Sequence, residues 1–201
     1  MSQFFLGSEE RNYMKITTVK IFLCFLICFM LAGCDLKTKM EVSKDLKETF
    51  QQISVGEFTE IKVLNPEKLY VVDEHDDNEY INLILSNTDY EINDIEIIDE
   101  DKCSAHIEID TVAAADIMKE VASRFTEFDM DRFMEEYLQE LKSTKEKKTY
   151  DVTVELQKVD GSWLIVPDWG LNDAMTGGLL SLYAETARSQ YERLLEEAGE
   201  E

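Results

Sequence analysis

The chain has 201 residues and a mass of 23.3 kDa, which is room for one domain plus a targeting segment. A hydrophobic content of 44%, two prolines and eight glycines describe a globular protein and exclude disordered, collagen-like or low-complexity architectures. The 43 acids against 20 bases give a net charge of −23 and exclude nucleic acid as a partner, because the phosphate backbone is bound through Lys and Arg.

Residues 21–31 read IFLCFLICFML, an apolar run of 11. A membrane-spanning helix needs about 20 such residues, so this run has the length of a secretory signal's apolar region. Lys15 and Lys20 supply the positive flank before it, and Leu31-Ala32-Gly33-Cys34 follows it. The four residues resemble the lipobox of bacterial lipoproteins, L-[AS]-[GA]-C. The resemblance implies cleavage between Gly33 and Cys34 and acylation of the Cys34 thiol, with palmitate-type chains holding the protein on the extracytoplasmic face of the cell membrane. An uncleaved signal anchor is the alternative. Glu9 and Glu10 are foreign to such a leader, whereas Met14 opens a better one (MKITTVK), so translation is expected to start there. Cleavage would remove two acids (Glu9, Glu10) and three bases (Arg11, Lys15, Lys20) and leave a net charge of −24. Cys24 and Cys28 would leave with the signal and Cys34 would carry lipid. Cys103 is then the single free thiol, and no internal disulfide forms despite the exported location.

Residues 34–40 read as a lipidated polar tether, and six flexible residues reach roughly 13 Å. Val42, Leu46, Phe50 and Ile53 follow at helical spacing, with Ser43 and Asp45 suited to the helix start and Gly56 to its end. Residues 57–72 are irregular around Pro66, and Tyr80–Leu85 fits a short helix or a strand equally well. Tyr90 to Ile98 alternates with a phase slip at Asn93-Asp94, which predicts a bulge. Cys103, Ala105, Ile107 and Ile109 alternate without interruption, so the two runs predict a hairpin.

Residues 113–141 read as helix, with a break at Asp129. Lys142 to Thr149 is a polar connection. Tyr150 to Leu156 alternates again, Asp160-Gly161 is a type I′ hairpin signal, and Trp163 to Val166 returns before Pro167. Leu171 to Ala198 is helical, interrupted at Gly177-Gly178 and capped at Gly199. This order predicts an α+β fold with an antiparallel sheet packed on helices and a final helix. The absence of β-α-β alternation with glycine fingerprints argues against Rossmann and P-loop folds.

The element order resembles the NTF2-like (cystatin-like) cone, a curved antiparallel sheet wrapped on helices. Residues 150–179 are similar to the end of a group of Gram-positive lipoproteins, through Trp163, Leu171, Ala174, Gly177 and Gly178. The resemblance covers residues 41–180 and leaves 181–201 as an appended C-terminal helix. The resemblance implies little about activity; the missing catalytic motifs favour a membrane-anchored, non-enzymatic module that binds a protein or small ligand. The alternative is a small-molecule or peptide carrier with a cone cavity, and an NTF2-like enzyme ranks third, since one fold hosts all three.

No residue set nominates a catalytic centre, a metal site or a cofactor. The acidic run 73–79 lacks the glycine and spacing of a calcium loop and reads as a solvated loop. Cys103 and His106, three apart on a strand, fall on opposite faces. Some NTF2-like enzymes use a pocket Asp as base, and Asp94 near the bulge is the best candidate of that kind; the inward positions that can be assigned are instead Ile, Val, Leu, Tyr and Ala. Trp163 and Trp169 flank Pro167 and are the ligand-binding candidates, as an aromatic lip; core packing is the competing reading. The four lysines within 142–148 suit a helix C-terminus or a contact with anionic headgroups.

Overall fold

A computed structural model describes residues 35–74, 79–126 and 129–199. The chain divides into two compact units, Met1–Glu41 and Val42–Glu201. In the first unit residues 35–41 are helical rather than a flexible tether. The stretch holds no glycine or proline, and Lys37 and Glu41 form an i,i+4 ion pair across one turn. The lipobox, Cys34 and the signal region lie outside the described residues.

The second unit is α+β, with a four-stranded antiparallel sheet in the order β1-β2-β3-β4. Its first helix, α1 (42–54), buries Val42, Leu46, Phe50 and Ile53, the stripe expected from their spacing. Gly56 ends it with φ 73°, a left-handed turn that a side chain resists. Pro66–Lys68 forms one 3-10 turn, followed by α2 (Tyr70–Glu74). The ambiguous segment 80–85 belongs to a helix, α3 (Glu79–Ser86), because Ile81, Ile84 and Leu85 bury along one side.

β1 (Asp89–Ile97) and β2 (Lys102–Val112) form the expected hairpin. The register slips between Ile92 and Asp94, leaving Asn93 extra. The bulge turns both phases of β1 inward: Tyr90 and Ile92 pair with Ile109 and Ile107, then Ile95 and Ile97 with Ala105 and Cys103. β1 is a sheet edge, and its exposed Asp89, Glu91, Asp94 and Glu96 discourage addition of a further strand.

Helices α4 (Ala114–Ser123) and α5 (Met130–Ser143) connect β2 to β3 (Lys147–Val159). The break expected at Asp129 opens earlier, since α4 ends at Ser123; Asp129 instead caps α5, its carboxylate accepting from the Arg132 amide at 3.2 Å. β3 begins three residues before the predicted strand, since Lys147 and Lys148 pair in register with Val112 and Thr111. A two-residue turn joins β3 to β4 (Ser162–Val166), with Asp160 at φ 49° and Gly161 at φ 85°, both left-handed as a type I′ turn demands. The far edge of β4 is covered by 62–64: the Leu64 amide donates to Ile165 O at 2.8 Å and the Ile165 amide to Lys62 O at 2.9 Å.

The chain ends in α6 (Trp169–Met175) and α7 (Leu179–Gly199), so the last helix starts two residues before the boundary expected at 181. Gly177 and Gly178 make the corner between them. A Cβ on Gly177 would lie 2.2 Å from Val112 O, and one on Gly178 2.7 Å from the Tyr150 hydroxyl. The Leu171, Ala174, Gly177, Gly178 pattern is therefore a packing device: it lets the α6–α7 corner close onto the β2–α4 junction, where the Ala115 amide donates to Gly177 O at 3.0 Å.

Two apolar clusters result. The larger packs the inner face of the sheet, from Cys103, Ala105, Ile107, Val154, Leu156, Trp163 and Ile165, against α1, α2 and α6. The smaller joins Ile84 of α3, Val121 of α4, Phe133, Tyr137 and Leu141 of α5, and Leu179 at the start of α7.

Candidate functional site

Polar groups that bridge distant elements carry either structure or chemistry. The residues before Asp45 are helical from 35 onward, so it does not start a helix as its sequence suggested. Its two oxygens accept from the Lys62 ammonium at 2.5 Å and from the Trp163 amide at 2.9 Å. Lys62 also donates to Glu48 at 2.6 Å. Burial works against the Lys62 charge, but its bonds to the two carboxylates outweigh that and raise its pKa. The Lys62 bond in turn lowers the Glu48 pKa. Each charge meets an opposite one, so the trio acts as a clamp tying α1 to the 62–64 segment and β4. Asn172 is a second clamp. Its Oδ1 accepts from the Tyr70 amide at 2.6 Å, while Nδ2 donates to Lys68 O at 3.1 Å and Asp168 O at 2.8 Å.

The sequence-predicted residues fall as follows. Trp163 is 1% exposed and fills the core, with the Lys158 ammonium 5.3 Å from its ring centroid. Trp169 is 58% exposed at the first turn of α6. The aromatic lip is therefore not formed: β4 alternation turns Trp163 inward together with Ile165, away from the surface that Trp169 occupies. Cys103 and His106 lie on opposite faces of β2. Burial pushes the Cys103 thiol up to about 11, which keeps it protonated and unreactive. His106 is exposed, with Nε2 3.7 Å from Asp151 Oδ1. Asp94 is exposed too. Residues 75–78 of the acidic run lie outside the described residues. Among the described residues no group of three metal-ligating side chains converges.

Three of the four lysines of 142–148 are engaged with acids. Lys142 pairs with Glu79 at 2.6 Å, Lys147 with Asp89 at 2.6 Å and Lys148 with Asp116 at 3.2 Å. Two of these acids, Glu79 and Asp89, belong to the wall of an open groove of about 1010 Å³. The end of α1 (Ser54–Gly56), the outer side of α3 and Thr88 form the rest of it. Among the described residues the wall mixes hydroxyls, two carboxylates, one amide and leucines, with no histidine or cysteine. Such a wall offers hydrogen bonds and some apolar contact, with no nucleophile–base pair to activate.

The other candidate surface is α7. Leu179 is buried and Leu182 half-buried, but every residue from Tyr183 to Ala198 is exposed. Tyr191 and Leu194 are each 63% exposed and Leu195 54%. The helical spacing of these residues is legible in the sequence; that the rest of the domain leaves them uncovered is not. Sequence reasoning also missed Asp45 and Asn172, whose partners lie more than 100 residues away in the cases of Trp163 and Tyr70.

Comparison of the chain with protein-family models, with curated proteins and with solved structures gives no match.

Proposed function

We propose that the protein is a lipid-anchored, extracytoplasmic interaction module, held to the membrane through Cys34 and presenting an NTF2-like α+β domain. The single observation that carries the interaction reading is the contrast between a filled sheet interior and a bare α7. The inner face of the sheet is packed with Ile, Val, Leu and Trp163, while Tyr191, Leu194 and Leu195 stand in solvent. The bulge in β1, together with Tyr90 stacked on Phe50 of α1 at 4.8 Å, supports the cone. The lipobox resemblance at Leu31–Cys34 supports the anchor, and the fold has no bearing on it.

A carrier is the second reading, and the groove beside α3 is what favours it. An enzyme draws no support from the groove wall described above.

Replacing Cys34 by Ala tests the anchor. The account expects release of the protein into the medium or accumulation of unprocessed precursor, with no acyl mass on residue 34. Unchanged membrane retention of a variant that carries no acyl group would overturn it.

A further inference from the structure

An exposed helix of this length calls for a covering surface. Helices of some 15 residues are marginal in water, and packing of an apolar face supplies most of their stability in proteins. At 100° per residue, Ala184, Ala187, Tyr191, Leu194, Leu195 and Ala198 fall within one sector about 100° wide, and all six are exposed.

We propose that this face pairs with the same face of a second copy, antiparallel, about a two-fold axis at the level of Gln190. The inference rests on the interaction-module reading and names its partner. Two complementarities on α7 select this arrangement. The first is size. Centring the axis at Gln190 sets Ala184 against the second copy's Leu195 and Ala187 against its Leu194, so each large side chain meets a small one. That lets the helix axes approach to about 8 Å. The second is charge. Arg188 and Glu192 lie on the same flank of the stripe, and antiparallel pairing brings same-side flanks together. Arg188 of each copy then faces Glu192 of the other, giving two ion pairs by symmetry. In the single chain these two residues already bond to each other, at 3.0 Å, so the pairing only redistributes an existing contact.

A parallel pair fails on both counts. It stacks Ala187 on Ala187 and Leu194 on Leu194, and gathers Glu192, Glu196 and Glu197 of both copies at one end. A membrane surface fails on charge. Surface-lying helices are rich in Lys and Arg on the polar face, whereas α7 carries Glu185, Glu192, Glu196 and Glu197 against Arg188 and Arg193.

The test uses the full chain in its own membranes. Ala184→Cys and Leu195→Cys copies are co-expressed with different tags and mildly oxidised. Antiparallel pairing predicts a mixed disulfide dimer in good yield. Either variant alone gives little, because like thiols then lie roughly 15 Å or more apart along the axis. Adding Leu194→Glu should cut the mixed yield about tenfold. Arg188→Glu should also lower it, and the double exchange Arg188→Glu with Glu192→Arg should restore it. Amide exchange of α7 in the same membranes separates the two levels of the argument. Slow exchange without a mixed dimer would overturn self-pairing and leave another partner on that face. Fast exchange without a mixed dimer would overturn both.

Discussion

The sheet-backed core and helix α7 are built from similar apolar residues at regular spacing, yet they end in opposite environments. In β2, Cys103, Ala105, Ile107 and Ile109 alternate inward and are almost wholly buried. In α7 an equally regular stripe is covered only as far as Leu182. The difference comes from what each element can reach. The sheet has α1, α2 and α6 pressed on its inner face, and clamps at Asp45 and Asn172 fix them there. Past Leu182, α7 meets the body at Glu185, 3.3 Å from Lys119 of α4, and its residues 183–198 are all exposed. Substitutions in the first region should therefore act on stability, and substitutions in the second on association.

Alkaline pH should break the first region most completely, because it acts at several points together. Burial raises the pKa of Cys103 to about 11 and of Tyr150 to about 12, and pushes Tyr90 and Tyr137 upward as well. The carboxylates around Lys62 raise its pKa too, against the effect of its burial. In the unfolded chain the thiol loses its proton near 9 and the phenols near 10. The folded state holds those protons longer, so its stability is intact below about pH 9 and falls as pH rises. Cooperative unfolding is expected between about pH 9 and 12, read by far-ultraviolet circular dichroism. A folded sheet persisting above that range would contradict the packing described.

Trp163→Ala should cost about 3–5 kcal/mol in urea denaturation, the usual range for removing a buried indole. Trp163→Phe should cost much less. The indole Nε1 is buried with no hydrogen-bond partner among the described residues, so its removal offsets part of the lost volume.

Gly177→Ala should cost roughly 2–4 kcal/mol, since φ is 62° and the new Cβ would meet the backbone oxygen of Val112. Asn172→Ala should cost about 2–3 kcal/mol by removing the partner of the Tyr70 amide and of the Lys68 carbonyl. At the other end of the scale, Tyr191→Ala should change the stability of the dilute monomer by less than about 0.5 kcal/mol. A large loss there would mean that α7 packs on the body after all.

Much of the sheet was legible in the sequence because its signals are local. Strict alternation over 103–109, the phase slip at Asn93 and the Asp160-Gly161 turn each specify geometry within a few residues. What escaped depends on distant partners. Ser43 and Asp45 look like a helix start, but Asp45 is held mid-helix by Lys62 and the Trp163 amide. Lys147 and Lys148 look like loop, but β2 draws them into the ladder. Trp163 and Trp169 look like a pair across Pro167, but strand phase sends one inward and a helix start leaves the other outside. The stripe in α7 is helical, as its spacing predicts. A stripe says that a helix has a side to bury; it carries no record of what does the burying.

Amide hydrogen exchange on the detergent-solubilised full chain, followed as a function of protein concentration, tests the contrast most directly. The account predicts strong, concentration-independent protection in β2 and β3, and protection of residues 184–198 that is weak when dilute and grows with concentration. Equal protection of α7 and the sheet at the lowest concentration, or weak protection of α7 at every concentration, would contradict it.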